Sequence, residues 1–243
     1  MKKFFTDLDS QMKNWLSPVV RWIVYICAGV YLLTFLLAPS PRLMQWIFYT
    51  FGASPAFTIG HAYVWQLVTY AFVHVSFTHL LFNMIGLYFF GQRLEYRWGS
   101  REFLKFTIVV GIGAVLFHLL VSSLLSLGQG LPPDVIVGIS GVIFGVMAAC
   151  ALIYPDDIVY FQFLLPIKMK YFVVIMGVLT LISIPNSQSS VAHLTHLGGL
   201  GVGLIYVKYP WLFDWIKMPQ GLPRRSPPSY PWQEGPGRRG RKF

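Results

Sequence analysis

Ser140 stands in Gly138-Ile139-Ser140-Gly141, and His196 stands in His196-Leu197-Gly198-Gly199. Each lies in an apolar stretch, where a polar side chain is expensive and is usually kept for a function. A serine hydroxyl offers a nucleophile, and an imidazole offers the base that activates it. A second pair, His79 and Asn83, is spaced i and i+4, so both side chains share one helix face. An imidazole N–H and an amide N–H aimed at one point could polarise a carbonyl oxygen, and one such donor is worth about 10²–10³ in rate. Plainer readings stand beside these. Gly141 and Gly145 make Ser140 part of a small-residue packing face, and a lone membrane histidine is as readily a hydrogen-bonded core residue. His79 and Asn83 could equally form a polar clasp between helices.

The elements that must position these residues follow from composition. The chain is 55% hydrophobic and 12% charged, with mean hydropathy +0.58. Soluble domains carry about 25% charged residues. An all-α polytopic membrane protein is therefore expected. About 20 apolar residues span a bilayer as a helix, and six segments approach that standard: 18–38, 76–94, 102–125, 139–154, 170–185 and 190–208. The fourth is short and the sixth is glycine-rich, as expected of helices covered by their neighbours. Between the first two, residues 39–75 are rich in Trp and Tyr, and Leu43–Phe51 reads as a short helix in the membrane interface. Residues 126–138 read as a loop, and Ile184-Pro185-Asn186-Ser187 as a tight connection. The organisation expected is a segment 1–17, a six-helix core 18–208 and a Pro/Arg-rich tail 209–243, expected to be disordered because residues 218–243 hold too little apolar content to fold. Lys2 and Lys3 precede the first apolar run, but Ala38-Pro39-Ser40-Pro41 lacks a small-x-small cleavage pattern, so that helix reads as a retained anchor. Cys27 and Cys150 read as small packing residues.

Charge sets the orientation. With the N-terminus in the cytoplasm and six alternating helices, every Lys and Arg except Arg42 falls on the inner side. Both termini are then cytoplasmic, and the net charge of +10 has a topological origin rather than a nucleic-acid partner. Ser140, His196, His79 and Asn83 all fall in the outer third of the bilayer, where water has a short way to come. Gly199 and Gly203 follow His196 at i+3 and i+7, making a stripe that can approach Gly141 and Gly145 backbone to backbone. That contact would bring the imidazole to the hydroxyl. Asp134, in a loop, is the one acid on the outer side, so a Ser-His dyad is the simpler proposal than a triad. No His-Glu-x-x-His occurs, and no metal or cofactor is expected.

These motifs together resemble the rhomboid intramembrane serine proteases. The resemblance covers residues 18–208. It rests on His79-x-x-x-Asn83, on Gly138-x-Ser140-Gly141 and on His196-Leu197-Gly198-Gly199, with His74 before the second helix and Glu95, Arg97 and Trp98-Gly99 in the turn after it. It implies a six-transmembrane-helix bundle in which Ser140 is nucleophile and His196 general base. It also implies an oxyanion hole of Asn83, His79 and the Ser140 N–H, supported by His74, Gly138, Gly141, Phe144 and Gly199. Residues 39–75 become a membrane-embedded outer loop, and the fifth helix gates entry from lipid. Two positions depart from the family's habit. Phe144 stands where a tyrosine often stacks on the histidine, and Trp65-Gln66 replaces an outer-loop Trp-Arg. The expected activity is hydrolysis of transmembrane segments of other membrane proteins near their outer end, where small or helix-weakening residues let the backbone unwind. A bacterial inner membrane suits the minimal layout. The competing readings are a non-catalytic rhomboid-like client binder and a transporter or metal-binding membrane protein using His79, His193 and His196.

Overall fold

The computed structural model describes residues 15–36, 40–128, 130, 134–161, 164–183 and 190–218. The segment 1–14, the connection at Ile184–Ser187 and the tail from 219 lie outside the described residues. In chain order the helices are α1 Pro18–Leu36, α2 Pro41–Phe51, α3 Gln66–Phe72, α4 Phe77–Trp98 and α5 Ser100–Leu125, then α6 Ser140–Ile153, α7 Met169–Ser183 and α8 Ser190–Lys208. The six apolar segments coincide with α1 and α4 to α8, with α4 continuing past residue 94 to Trp98. By length and composition α1 and α5 can each cross a membrane, and the pair α3–α4, bent by 98°, makes a third candidate span. α6 and α7 are apolar but shorter.

α6 is the centre of the bundle. Every residue from Gly141 to Cys150 is buried, so over this stretch the helix has no lipid-facing side and needs no amphipathic stripe. α5 and α8 flank it. Against α8 the approach is set by glycines: a Cβ on Gly203 would lie 2.6 Å from the Gly145 carbonyl oxygen, and one on Gly199 would collide with the Gly141 carbonyl. Small residues are what allow two membrane helices to come this close.

α1 is tied to α4 by a carboxylate. Glu95, buried near the end of α4, accepts hydrogen bonds from Ser17 Oγ at 2.6 Å and from the N–H groups of Val19 and Val20 at 2.8 and 3.0 Å. Ser100 Oγ donates to it as well, and Gln92 Oε1 takes the Ser17 N–H. The first N–H groups of any helix lack internal acceptors, and a carboxylate also suits the positive end of the helix dipole. Gly99, at φ +85°, makes the turn from α4 into α5.

The outer loop has its own lock. α2 opens on Ser40, whose side chain accepts from the Leu43 N–H, with Pro41 in the first turn. Gln66 is fully buried; its Nε2 donates to Tyr49 O at 2.7 Å, and its Oε1 accepts from Thr58 Oγ1 at 2.7 Å. Trp65 Nε1 donates to Thr50 O at 2.8 Å. A glutamine thus anchors this loop through both ends of its amide. Ala53 and Ile136 form a two-way backbone bridge that joins the outer loop to the segment leading into α6.

Between α6 and α7 the chain forms an antiparallel hairpin, β1 Ile158–Phe161 with β2 Leu165–Lys168, registered Ile158 to Lys168 and Phe161 to Leu165. The apolar-segment reading does not anticipate it. Beyond α8 the described part of the tail makes one tight turn, Pro210–Phe213, and Phe213 stacks on Tyr206 at 4.8 Å.

Candidate active site

Ser140 is the first residue of α6. The segment before it is aimed by two contacts: the Gly138 N–H donates to the Tyr70 carbonyl at 2.8 Å, and the Tyr70 hydroxyl donates to Gly111 O on α5 at 2.8 Å. Gly138 has φ +104°, a conformation that side-chain-bearing residues rarely adopt, and a Cβ there would lie 2.5 Å from the His79 ring. Glycine is therefore required twice over, for the turn and for the histidine. At its N-terminus α6 presents N–H groups without intrahelical acceptors, the kind of donor that suits a developing oxyanion.

His196 comes from α8. Its Nε2 is 2.7 Å from Ser140 Oγ. The Phe144 ring lies against the imidazole with centroids 4.2 Å apart and planes 6° from parallel. Phe144 is one turn beyond Ser140 on the same face of α6, so one helix face presents both the hydroxyl and the surface on which the base rests. The glycine stripe makes this possible. Gly141 packs under Thr195, where a Cβ would lie 3.0 Å from the methyl, and Gly199 meets Gly141 one turn below His196.

α4 brings the remaining polar groups. Ser76 caps it by accepting the His79 N–H at 3.1 Å. The His79 ring abuts Gly138, as above. Asn83, one turn further, is only 4% exposed, and its Nδ2 has no hydrogen-bond partner among the described residues; the same holds for His79 Nδ1. His74 is buried with its ring 5.1 Å from that of His79. Its Nδ1 lies 3.2 Å from the Phe72 carbonyl, which only accepts, so that nitrogen carries the proton. His193 approaches His196 at 6.1 Å, edge to face. Among the described residues no three His, Cys, Asp or Glu side chains converge as metal ligands would.

The structure thus brings Ser140, His196, Phe144, Gly141 and Gly199 into one contact, and His79 against Gly138 beside it. Tyr70 and Thr195 join the site without having been singled out. A lone aromatic in an aromatic-rich loop and a threonine between two histidines carry no signal of their own; only the backbone contacts reveal them.

A bundle of apolar helices around a buried central helix defines an integral membrane protein, with a serine hydroxyl and an imidazole in contact at one end of that helix. The comparisons narrow this. The Rhomboid domain family matches residues 61–212, and the chain belongs to the rhomboid family. It is similar to RHOMBOID-like protein 12, mitochondrial, of Arabidopsis thaliana, at 28% identity over 150 residues, covering 57% of this chain and 44% of that protein. It is also similar to Rhomboid protease GlpG of Yersinia pestis, at 26% identity over 101 residues, covering 42% of this chain and 34% of that one. The matched stretch spans less than half of each relative's length.

Proposed function

We propose that this protein is an intramembrane serine endopeptidase that cleaves transmembrane segments of other membrane proteins near their outer end. The observation that carries the reading is the 2.7 Å approach of His196 Nε2 to Ser140 Oγ, with Phe144 stacked on the imidazole. His196 Nε2 takes the hydroxyl proton as Ser140 Oγ attacks the scissile carbonyl. The carbonyl oxygen, now negative, is stabilised by the Ser140 N–H, Asn83 Nδ2 and His79. The C–N bond then breaks, and His196 returns the proton to the departing amine, leaving an acyl-serine. Water, deprotonated by His196, releases the new carboxyl terminus and restores the hydroxyl.

The reading includes six spans, α1 and α4 to α8, with both termini cytoplasmic and residues 18–208 as the catalytic core. On this topology Ser140 lies toward the outer face, and α7 borders the path by which a substrate helix enters from lipid. The positive-inside distribution of Lys and Arg supports the orientation. A bacterial inner membrane fits this layout, and the similarity to a mitochondrial rhomboid-like protein of a plant makes a mitochondrial membrane the alternative.

Labelling of the purified protein with a fluorophosphonate tests the proposal against a non-catalytic client binder. Labelling should occur in the parent and vanish in Ser140→Ala and in His196→Ala. Parent protein that stays unlabelled while folded would sink the catalytic reading.

A further inference from the structure

The β1–β2 hairpin lies at the end of the bundle opposite Ser140, because it follows the last residue of α6. Its base is fixed. The Met169 N–H donates to Asp157 O at 2.8 Å and the Lys170 N–H to Pro155 O at 3.1 Å, so the turn after α6 satisfies the start of α7. Arg93 from α4 ion-pairs with Asp157, and its guanidinium lies 3.9 Å over the Tyr154 ring. The hairpin's inner face packs on the bundle: Phe161 meets Phe172 at 6.1 Å, and Phe172 stacks on Phe90 at 6.0 Å. Phe172 belongs to the first turn of α7. The strands therefore run beside the membrane helix instead of falling away from it.

The outer face is the unusual part. Tyr160 is 64% exposed and Ile158 is exposed on the same face, Leu164 in the turn is 84% exposed, and Leu165, opposite Phe161 in the register, is exposed at the tip. At the base of the hairpin stand Arg93, Arg97, Lys168 and Lys170; Arg93 pairs with Asp157 and both lysines with Asp156, so four cations meet two carboxylates. The hairpin is thus apolar toward its tip and cationic at its base, with Tyr160 and Tyr171 exposed. Aromatic side chains with one wet end favour the membrane interface, and clustered lysines there favour anionic headgroups.

We propose that this hairpin is a lipid-binding foot, seated in the leaflet at the basic end of the bundle, which gathers anionic phospholipids against Lys168 and Lys170. Leu164 and Leu165 enter the acyl region, and the lysines reach the phosphates. Because the hairpin is continuous with α7, the foot holds the base of that helix to the lipid. This inference needs a membrane-embedded chain but no catalysis, so it stands or falls independently of the protease reading.

The test uses the full chain carrying Ser140→Ala, reconstituted in vesicles and labelled with an environment-sensitive fluorophore at Leu164→Cys. Cys27 and Cys150 are buried and do not compete for the label. Quenching by acyl-chain-brominated lipid, with protection from aqueous iodide, is the expected result; Tyr160→Cys provides a second labelling position should the first variant fail to insert. Brominated phosphatidylglycerol should out-compete brominated phosphatidylcholine at this label, by up to about fivefold for each lysine engaged. Lys168→Gln with Lys170→Gln should bring the two lipids toward parity. Quenching by iodide alone would overturn the foot, and parity of the two lipids in the parent would overturn the anionic headgroup. Efficient Leu164→Cys cross-linking between copies, with lipid quenching lost, would overturn it in favour of a second copy of this chain.

Discussion

Where α1 begins, the Glu95 carboxylate collects the hydroxyls of Ser17 and Ser100 and the N–H groups of Val19 and Val20. Where α6 begins, His79 Nδ1, Asn83 Nδ2, His74 Nε2 and His193 Nδ1 are all buried and have no hydrogen-bond partner among the described residues. The two ends are built from the same apolar helices, yet the Glu95 carboxylate is filled with donors while the groups around Ser140 are not; of the polar groups near Glu95, Arg21 in the first turn of α1 is the exception, with Nε and Nη1 buried and without a partner among the described residues. A buried polar group without a partner costs about 1–3 kcal/mol, and folded proteins keep few of them. Four at one end, around the serine–histidine contact, point to groups held ready for something that arrives. The Glu95 cluster, the closed end, secures the fold, whereas the open end gives up stability to keep polar groups without partners.

Removing the chemistry should separate the two most sharply. Ser140→Ala and His196→Ala should each lower cleavage of a transmembrane substrate by about 10⁴–10⁶, to background. Neither should lower the midpoint of unfolding in detergent, because neither belongs to the closed network. A parallel loss of stability and activity would recast the pair as a structural tie and erase the contrast.

Asn83→Ala comes next. If its amide waits for an oxyanion, the rate should fall by about 10²–10³, with little change in substrate affinity. Stability should hold or rise, because a buried group without a partner is being removed. A variant that unfolds more easily and cleaves normally would place Asn83 with the closed groups.

At the closed end the pattern should invert. Glu95→Gln replaces a charged acceptor of several donors by a neutral amide that brings its own N–H₂ into a site already full of donors. A loss of about 2 kcal/mol is expected, read as a lower unfolding midpoint. Fluorophosphonate labelling per folded molecule should stay at the parent level. Lost labelling in folded protein would mean that α1 positions the site and that the ends are not separable.

Much of this was legible in the residues because the site is made of local signals. Gly138 and Gly141 bracket Ser140, Gly199 and Gly203 follow His196 at helical spacing, and His79 and Asn83 share a face; each reads from a few consecutive residues. The apolar runs marked α1 and α4 to α8 for the same reason. What escaped depends on contacts across the chain. Glu95 belongs to a motif with Arg97 and Trp98-Gly99, but nothing in its spacing says that it caps a helix more than 70 residues earlier. Gln66 looked like a departure from the family habit, and only its partners at Tyr49 and Thr58 show it to be the lock of the outer loop. The hairpin hid in two four-residue strands, Ile-Val-Tyr-Phe and Leu-Pro-Ile-Lys, too short for a period to declare itself. Pro155 before them and the β-branched and aromatic residues within were the available cue.

The smallest effect tests whether the closed end owes its strength to burial or merely to having carboxylates. Asp156 is a second acid at that end, shared by Lys170 at 2.9 Å and Lys168 at 3.0 Å, but it is exposed where Glu95 is buried. The hydrogen bond from Lys170, then that from Lys168, holds its carboxyl below the ordinary 3.8. A lowered folded-state value means that the pairing stabilises the protein above the unfolded value and is lost as pH falls below it through the folded one. The unfolding midpoint of Asp156→Asn should therefore sit slightly below the parent's at pH 7, and the gap should close in the window under pH 3.8. Exposed ion pairs contribute little and are screened, so 0.5 M salt, with a Debye length of roughly 4 Å, should shrink the gap at neutral pH as well. The Glu95→Gln deficit should survive the same salt. If the two deficits respond alike, burial is not what distinguishes the closed end, and the contrast with the Ser140 end would have to rest on the number of partners alone.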